Sequence, residues 1–209
     1  MKDNKGFSLV ELVIILAIIA VLGGAMFYSF TLMTGQYARE CANNLSTALD
    51  KEKNYALTRS ASVDCYMEIV KDGKSYVARY YVPENAIADG TDSKGDVADW
   101  LFAEELKIGK SQVNITYKIG SGSEITIDDD TSVKFVYNRI SGAMKAIVES
   151  DASEPPAAGG KRRGSIPPDS DSSVHTLNGD KVIITLLNGR KYEIELYTAT
   201  GKHVLSRVD

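Results

Sequence analysis

Lys5-Gly6-Phe7-Ser8-Leu9-Val10-Glu11 runs without a break into an apolar stretch that continues from Leu12 to Met33. After Glu11 no charged side chain occurs until Arg39. About 20 apolar residues wound as an α-helix, at roughly 1.5 Å each, match the ~30 Å hydrocarbon core of a bilayer. The segment can therefore span a membrane. Glu11 is the anomaly within it, because a carboxylate in such a helix costs on the order of 3 kcal/mol on insertion scales. An acid kept at that cost points to a function that needs it.

The surroundings of Glu11 are as informative as the acid itself. A short start carrying Lys2 and Lys5, a small residue at Gly6, an aromatic at Phe7 and a glutamate four residues later precede the charge-free span. Together these residues resemble the Gly-Phe-x-x-x-Glu processing motif of type IV pilins and pseudopilins. The resemblance covers Met1–Ser60. It implies that residues 1–6 are a leader, that a prepilin peptidase cuts between Gly6 and Phe7, and that the new Phe7 amine is methylated. It further implies that Glu11 acts with the Phe7 amine in assembly, and that the partners are the peptidase, other pilin or pseudopilin subunits and the cytoplasmic membrane. The subunit would begin as a single-pass protein of that membrane with an extracytoplasmic head, then enter a periplasmic or cell-surface filament.

Two plainer readings compete. A secretory signal has a basic start, a short apolar run and small residues at its cleavage site, and Gly23-Gly24-Ala25 would serve as that site. Against it, Glu11 interrupts the run near its start, and the apolar character persists past Ala25 through Met26, Phe27, Tyr28, Phe30, Leu32 and Met33. The other is a plain uncleaved anchor.

The rest of the 209 residues is enough for one head of roughly 150 residues on this stalk. Net charge is −4, and a leader with two lysines and one aspartate would leave the chain more acidic still. That argues against a general nucleic-acid binder. Eleven tyrosines and many Val, Ile and Thr favour strands, whereas a single Trp and five Phe imply a modest core. Cys41 and Cys65 could pair outside the cytoplasm, but the marginal reach favours two separate buried thiols over a disulfide. From a helix end near Thr58, Cys41 lies ~25 Å below, and a strand doubling straight back covers ~23 Å by Cys65 with nothing left for a turn.

Phe7 to about Thr58 reads as one helix ~78 Å long, with a transmembrane or filament-core part over residues 7–30 and an amphipathic part over 31–60. The upper part carries Ala38, Cys41, Ala42, Leu45, Leu49, Ala56 and Leu57 at steps of three, four or seven, with Arg39, Glu40, Asn43, Asp50, Lys51 and Lys53 largely off that stripe. One face should pack on the head. Gly23 and Gly24 each cost about 1 kcal/mol relative to alanine in a helix interior. They are either a close-packing point for neighbouring helices or a weak point where the helix can unwind or bend.

Beyond the helix the apolar period changes from 3.6 to 2. Val63–Ile69 and Tyr76–Val82 flank an Asp72-Gly73 turn as a hairpin closed by Pro83. A polar loop follows over 84–96, then a short helix over Val97–Leu106 around Trp100, Leu101 and Leu106. Strands are expected at Val113–Ile119, Glu124–Asp128, Val133–Tyr137 and Ala143–Glu149. Residues 150–173, with Pro155-Pro156, Gly159-Gly160, Lys161-Arg162-Arg163 and Pro167-Pro168, have little to bury and read as a mobile loop, solvated and protease-sensitive at its basic run. Val182–Leu187 and Tyr192–Tyr197 around Asn188-Gly189 form the clearest hairpin, and Thr200-Gly201-Lys202 turns the chain into a last strand, His203–Arg207. The head spans 61–209, and the fold class is α+β: a long helix packed on an antiparallel head. A head with a loop before its last hairpin and a Thr-Gly-Lys turn into the closing strand is similar to the H-type minor pseudopilins.

No catalytic constellation stands out, and no cofactor is implied. His175 and His203 have no Cys or carboxylate at a metal-ligand spacing and read as surface or sheet-edge residues. Asp128-Asp129-Asp130 and the set Asp89, Asp92 and Asp96 are most simply solvated turns. Calcium is the sharper alternative for them, although the EF-hand spacing is absent. The sequence thus describes a structural filament subunit. The alternatives are a membrane-anchored enzyme, or a module binding DNA, a receptor or a secreted substrate, displayed at a filament tip or not assembled at all.

Overall fold

The computed structural model describes residues 9–59, 65–83, 99–151, 161–163 and 174–208. One continuous helix, α1 (Leu9–Arg59), leads into twelve strands: β1 (Cys65–Asp72), β2 (Ser75–Pro83), β3 (Asp99–Lys110), β4 (Asn114–Ile119), β5 (Ile125–Thr126), β6 (Thr131–Tyr137), β7 (Met144–Asp151), β8 (Lys161–Arg163), β9 (Val174–Thr176), β10 (Lys181–Asn188), β11 (Arg190–Tyr197) and β12 (Lys202–Val208). They form two sheets rather than one, a seven-stranded sheet in the order β8-β3-β2-β1-β6-β7-β9 and a five-stranded sheet in the order β12-β11-β10-β4-β5. All the pairings are antiparallel. The α+β arrangement expected from the sequence is the one found.

The upper half of α1 packs against both sheets. Ala38, Cys41, Ala42, Leu45, Ala48, Leu49 and Ala56 are buried along one stripe, spaced so that successive turns present them to the same side. Most are small, which lets the strands approach closely: a Cβ added at Gly109 of β3 would lie 2.6 Å from Cys41 Sγ. Leu57, expected on the stripe, is 45% exposed at the top of the head. It lies about 100° around the axis from buried Ala56 and faces the turn at Gly142, where an added Cβ would be 3.3 Å from both its methyl carbons. Cys41 and Cys65 are both buried, and no disulfide joins them.

The seven-stranded sheet is buried on both faces at its centre. Met67 and Ile69 of β1 face the helix with Tyr80 and Ala78 of β2, their direct cross-strand partners. The opposite face holds a second cluster of Tyr66, Tyr81, Val136, Ala146 and Val148, where Tyr66 and Tyr81 stack at 4.7 Å. Polar groups on that face are paired. Glu68 accepts from Tyr81 Oη at 3.2 Å and Ser132 Oγ at 3.0 Å, and Arg79 reaches Asp72 and Glu105, each at 3.0 Å.

The hairpins fall at their turn signals. Gly73, in the two-residue turn between paired Asp72 and Ser75, and Gly189, the single residue between paired Asn188 and Arg190, adopt φ of 55° and 67°, left-handed values that glycine takes readily. The short helix expected around Trp100, Leu101 and Leu106 is instead strand β3, paired along β2. Two register shifts, between Tyr76/Val77 and Tyr80/Tyr81, leave Ala103 and Ile108 as extra residues in β3, which breaks the two-residue alternation that marks a strand. Pairing with a central strand outweighs the helical preference of Ala103-Glu104-Glu105-Leu106.

Within the expected loop over 150–173, Lys161–Arg163 form β8, pairing with Asp99–Leu101 on the outer edge of β3. The polar loop over 84–96, Asp89, Asp92 and Asp96, and the remainder of that longer loop lie outside the described residues.

Candidate functional site: the exposed half of the long helix

Below the head, α1 changes character without a break in its backbone. From Leu9 to Met26 every residue is exposed except half-buried Gly23. Twelve large apolar side chains lie in this stretch, from Leu9 at 79% exposure to Met26 at 74%. At about 1.5–3 kcal/mol for each side chain left in water, the cost is on the order of tens of kcal/mol, more than a domain's entire stability. The helix is tolerable only inside lipid or against other apolar helices. Its 18 residues rise ~27 Å, close to a hydrocarbon core.

Glu11 lies in the first described turn of α1, on the exposed surface. Gly6 and Phe7 lie outside the described residues. Gly23 and Gly24 sit in regular helix with nothing within 4 Å of a Cβ added at either. The single chain gives neither glycine a packing reason.

The head holds one polar group that the helical spacing marks and the sequence reading passed over. Glu52 falls on the buried stripe three residues after Leu49 and four before Ala56, a position legible from periodicity alone. It is fully buried, and neither carboxylate oxygen has a hydrogen-bond partner. The Tyr137 hydroxyl is likewise buried and unpartnered. Burial pushes the Glu52 carboxyl well above the usual range.

The remaining candidates from the sequence resolve into ordinary structural roles. His175 and His203 lie on the edge strands β9 and β12. His203 Nε2 meets Ser46 Oγ at 2.7 Å, and burial lowers its pKa despite Asp50 nearby. Asp128 Oδ1 accepts from the backbone N–H groups of Asp130 and Thr131 and from Thr131 Oγ, an Asx-type turn that holds its carboxyl below the usual range. Asp129 pairs with Lys71 at 2.8 Å. Among the described residues no three His, Cys, Asp or Glu side chains gather as a metal site would require.

Comparison with known proteins agrees with this division of the molecule. Residues 1–27 match the prokaryotic N-terminal methylation motif, the signature of type IV pilins and prepilins. The chain therefore bears the prepilin signature on a long helix whose first half is free to pack elsewhere, and the motif supports, in general terms, a pilin-like or pseudopilin subunit. The match ends below the head and carries no subtype. No curated protein and no solved structure matches the chain significantly.

Proposed function

We propose that the chain is a structural, non-enzymatic subunit of a type IV pilus, a type II secretion pseudopilus or a competence pseudopilus. It is inserted in the cytoplasmic membrane as a prepilin, cut between Gly6 and Phe7, methylated on Phe7 and packed into a filament through α1. The observation that carries this reading is the coincidence of the methylation motif at residues 1–27 with an apolar helix exposed from Leu9 to Met26. Such a helix needs two apolar surroundings in turn, lipid before assembly and neighbouring helices after it.

Glu11 supplies the recognition step in this proposal. Its carboxylate is costly in lipid and seeks a cation, and processing creates one at the same depth, the Phe7 amine of a neighbouring subunit. Pairing neutralises both charges as the helices come into register. Among the subunit types, an H-type minor pseudopilin is the finer reading, carried by the chain order of the last hairpin and closing strand. Intact-mass measurement of the chain expressed with its own peptidase tests the proposal. Loss of Met1–Gly6 with one added methyl group is expected, and a mature chain beginning near Met26 overturns it.

A further inference from the structure

The level at which α1 leaves its apolar half is also the level at which each sheet sends a cation to it. Arg190, first residue of β11, lies across the helix at Gly35: an added Cβ there would be 2.7 Å from Arg190 Cδ and 2.9 Å from its Nε. Lys110, last residue of β3, holds its ammonium 4.1 Å from the ring centroid of Tyr37. Gly35 and Tyr37 are two residues apart and so about 200° apart around the axis. The two cations flank the helix from opposite sides. Arg39, one half-turn higher, adds an exposed cation from the helix itself.

None of the three has an acidic partner among the described residues. Glu40 is the single acid between Gly35 and Leu45. Of the acids at the lower ends of the strands, Asp72 is engaged by Arg79 and Asp129 by Lys71.

The height is set by the span. The apolar run ends at Met33, two residues and about 3 Å below Gly35 along the helix. That is within the headgroup layer, which adds roughly 5–8 Å on each side. A tyrosine at Tyr37 suits the same layer, where amphipathic rings collect.

We propose that Arg190 and Lys110, with Arg39, form a cationic collar around α1 that binds the anionic phospholipid headgroups surrounding the helix where it emerges from the membrane. The proposal rests on the membrane anchoring argued above. Lipid is the occupant that fits, because the cations face opposite sides of the helix. A single neighbouring protein surface meets one side, whereas headgroups surround the helix on every side. The collar seats the head on the bilayer before assembly and must be released when the subunit is withdrawn into a filament.

The test uses the full chain in nanodiscs of phosphatidylcholine alone or mixed with phosphatidylglycerol, following amide hydrogen exchange at 108–112 and 187–191. At low salt, exchange there should be slower in the anionic discs by at least about fivefold, the attraction of one cation to an anionic leaflet. The difference should vanish in ~0.5 M salt, where charges are screened beyond a few ångströms, and in the double variant Arg190→Gln/Lys110→Gln. Exchange in β1 and β6 should not change, which reports that the variant is folded, and the salt arm needs no variant. Equal exchange in the two discs, or a difference that survives high salt or the double substitution, overturns the collar while leaving the anchoring intact. Failure of the chain to enter either disc overturns the anchoring, and the collar with it.

Discussion

The two halves of α1 are built from similar residues and meet opposite fates. Leu45 and Leu49 are fully buried, whereas Leu12, Leu16 and Leu22 are more than half exposed. The helix backbone does not distinguish them; their surroundings do. The upper half alternates small and large apolar residues on one stripe with charge on the other, so it fits strands on one side and water on the other. The lower half is apolar all round and has no solvated face to offer. An element hydrophobic on every side belongs in the core of a large fold or in lipid, and none of the described strands covers this one.

The largest effect that tests this division is on folding. Leu49→Ala removes a fully buried side chain and should destabilise the head by about 2–5 kcal/mol. Leu16→Ala should leave head stability within about 0.5 kcal/mol. Denaturant titration of the detergent-solubilised chain, followed by near-ultraviolet tyrosine signal, compares the two. Similar losses would mean that the lower half folds back on the head.

In the filament the ranking should reverse. Glu11→Val should leave insertion and cleavage intact while reducing mature protein in sheared filaments by tenfold or more, with equal expression confirmed in the membrane fraction. Normal incorporation of the variant would remove the charge-pairing step. A tip subunit that starts assembly is the circumstance in which the acid has nothing ahead of it to meet, so the assay should follow copies within the shaft.

Glu52 is the point where the upper half breaks its own pattern. Because its folded-state pKa is raised, the folded chain keeps a proton that the unfolded chain releases above about its ordinary value of 4.5. Its contribution is fully favourable below that pH and is lost as pH rises toward the folded-state value. The slope approaches about 1.4 kcal/mol per pH unit. Glu52→Gln cannot titrate, so its stability relative to wild type should improve as pH rises above 4.5. A difference independent of pH would show that the carboxylate is ionised and paired. Tyr80 and Tyr137 interact with it electrostatically, and both hydroxyls are pushed above their ordinary value by burial, so neither titrates in this range.

The limits of legibility follow from the same chemistry. The membrane span, the motif around Glu11, the buried stripe and the hairpins at Asp72-Gly73 and Asn188-Gly189 were readable because each rests on local periodicity or turn chemistry. Strand β3 was not, because its two extra residues erase the alternation and its strand character comes from β2, a partner that composition does not announce. Strand β8 was hidden for a related reason: Lys161-Arg162-Arg163 has nothing to bury and is ordered by an open edge at Asp99–Leu101. That the head divides into two sheets depends on which strands neighbour one another, a non-local choice. Glu52 was within reach, since its position on the stripe follows from counting, but a charged residue is habitually assigned to the wet face.

The smallest effect concerns Gly23 and Gly24, and it divides the two reasons for keeping them. In the isolated chain nothing lies within 4 Å of a Cβ at either position, so Gly24→Ala should stabilise the helix by about 1 kcal/mol. Circular dichroism of the membrane half in micelles would register this as added or more heat-resistant helix. Alanine stays small, and neighbouring helices that need a close approach should tolerate it, whereas Gly24→Leu should block them. If instead the glycines let the helix unwind on entering a filament, alanine is enough to impair incorporation, because it removes the weak point while adding little bulk. Reduced filament content with Gly24→Ala therefore identifies unwinding, and a loss confined to Gly24→Leu identifies packing. Full incorporation of both variants would show that neither property of the glycine pair is used.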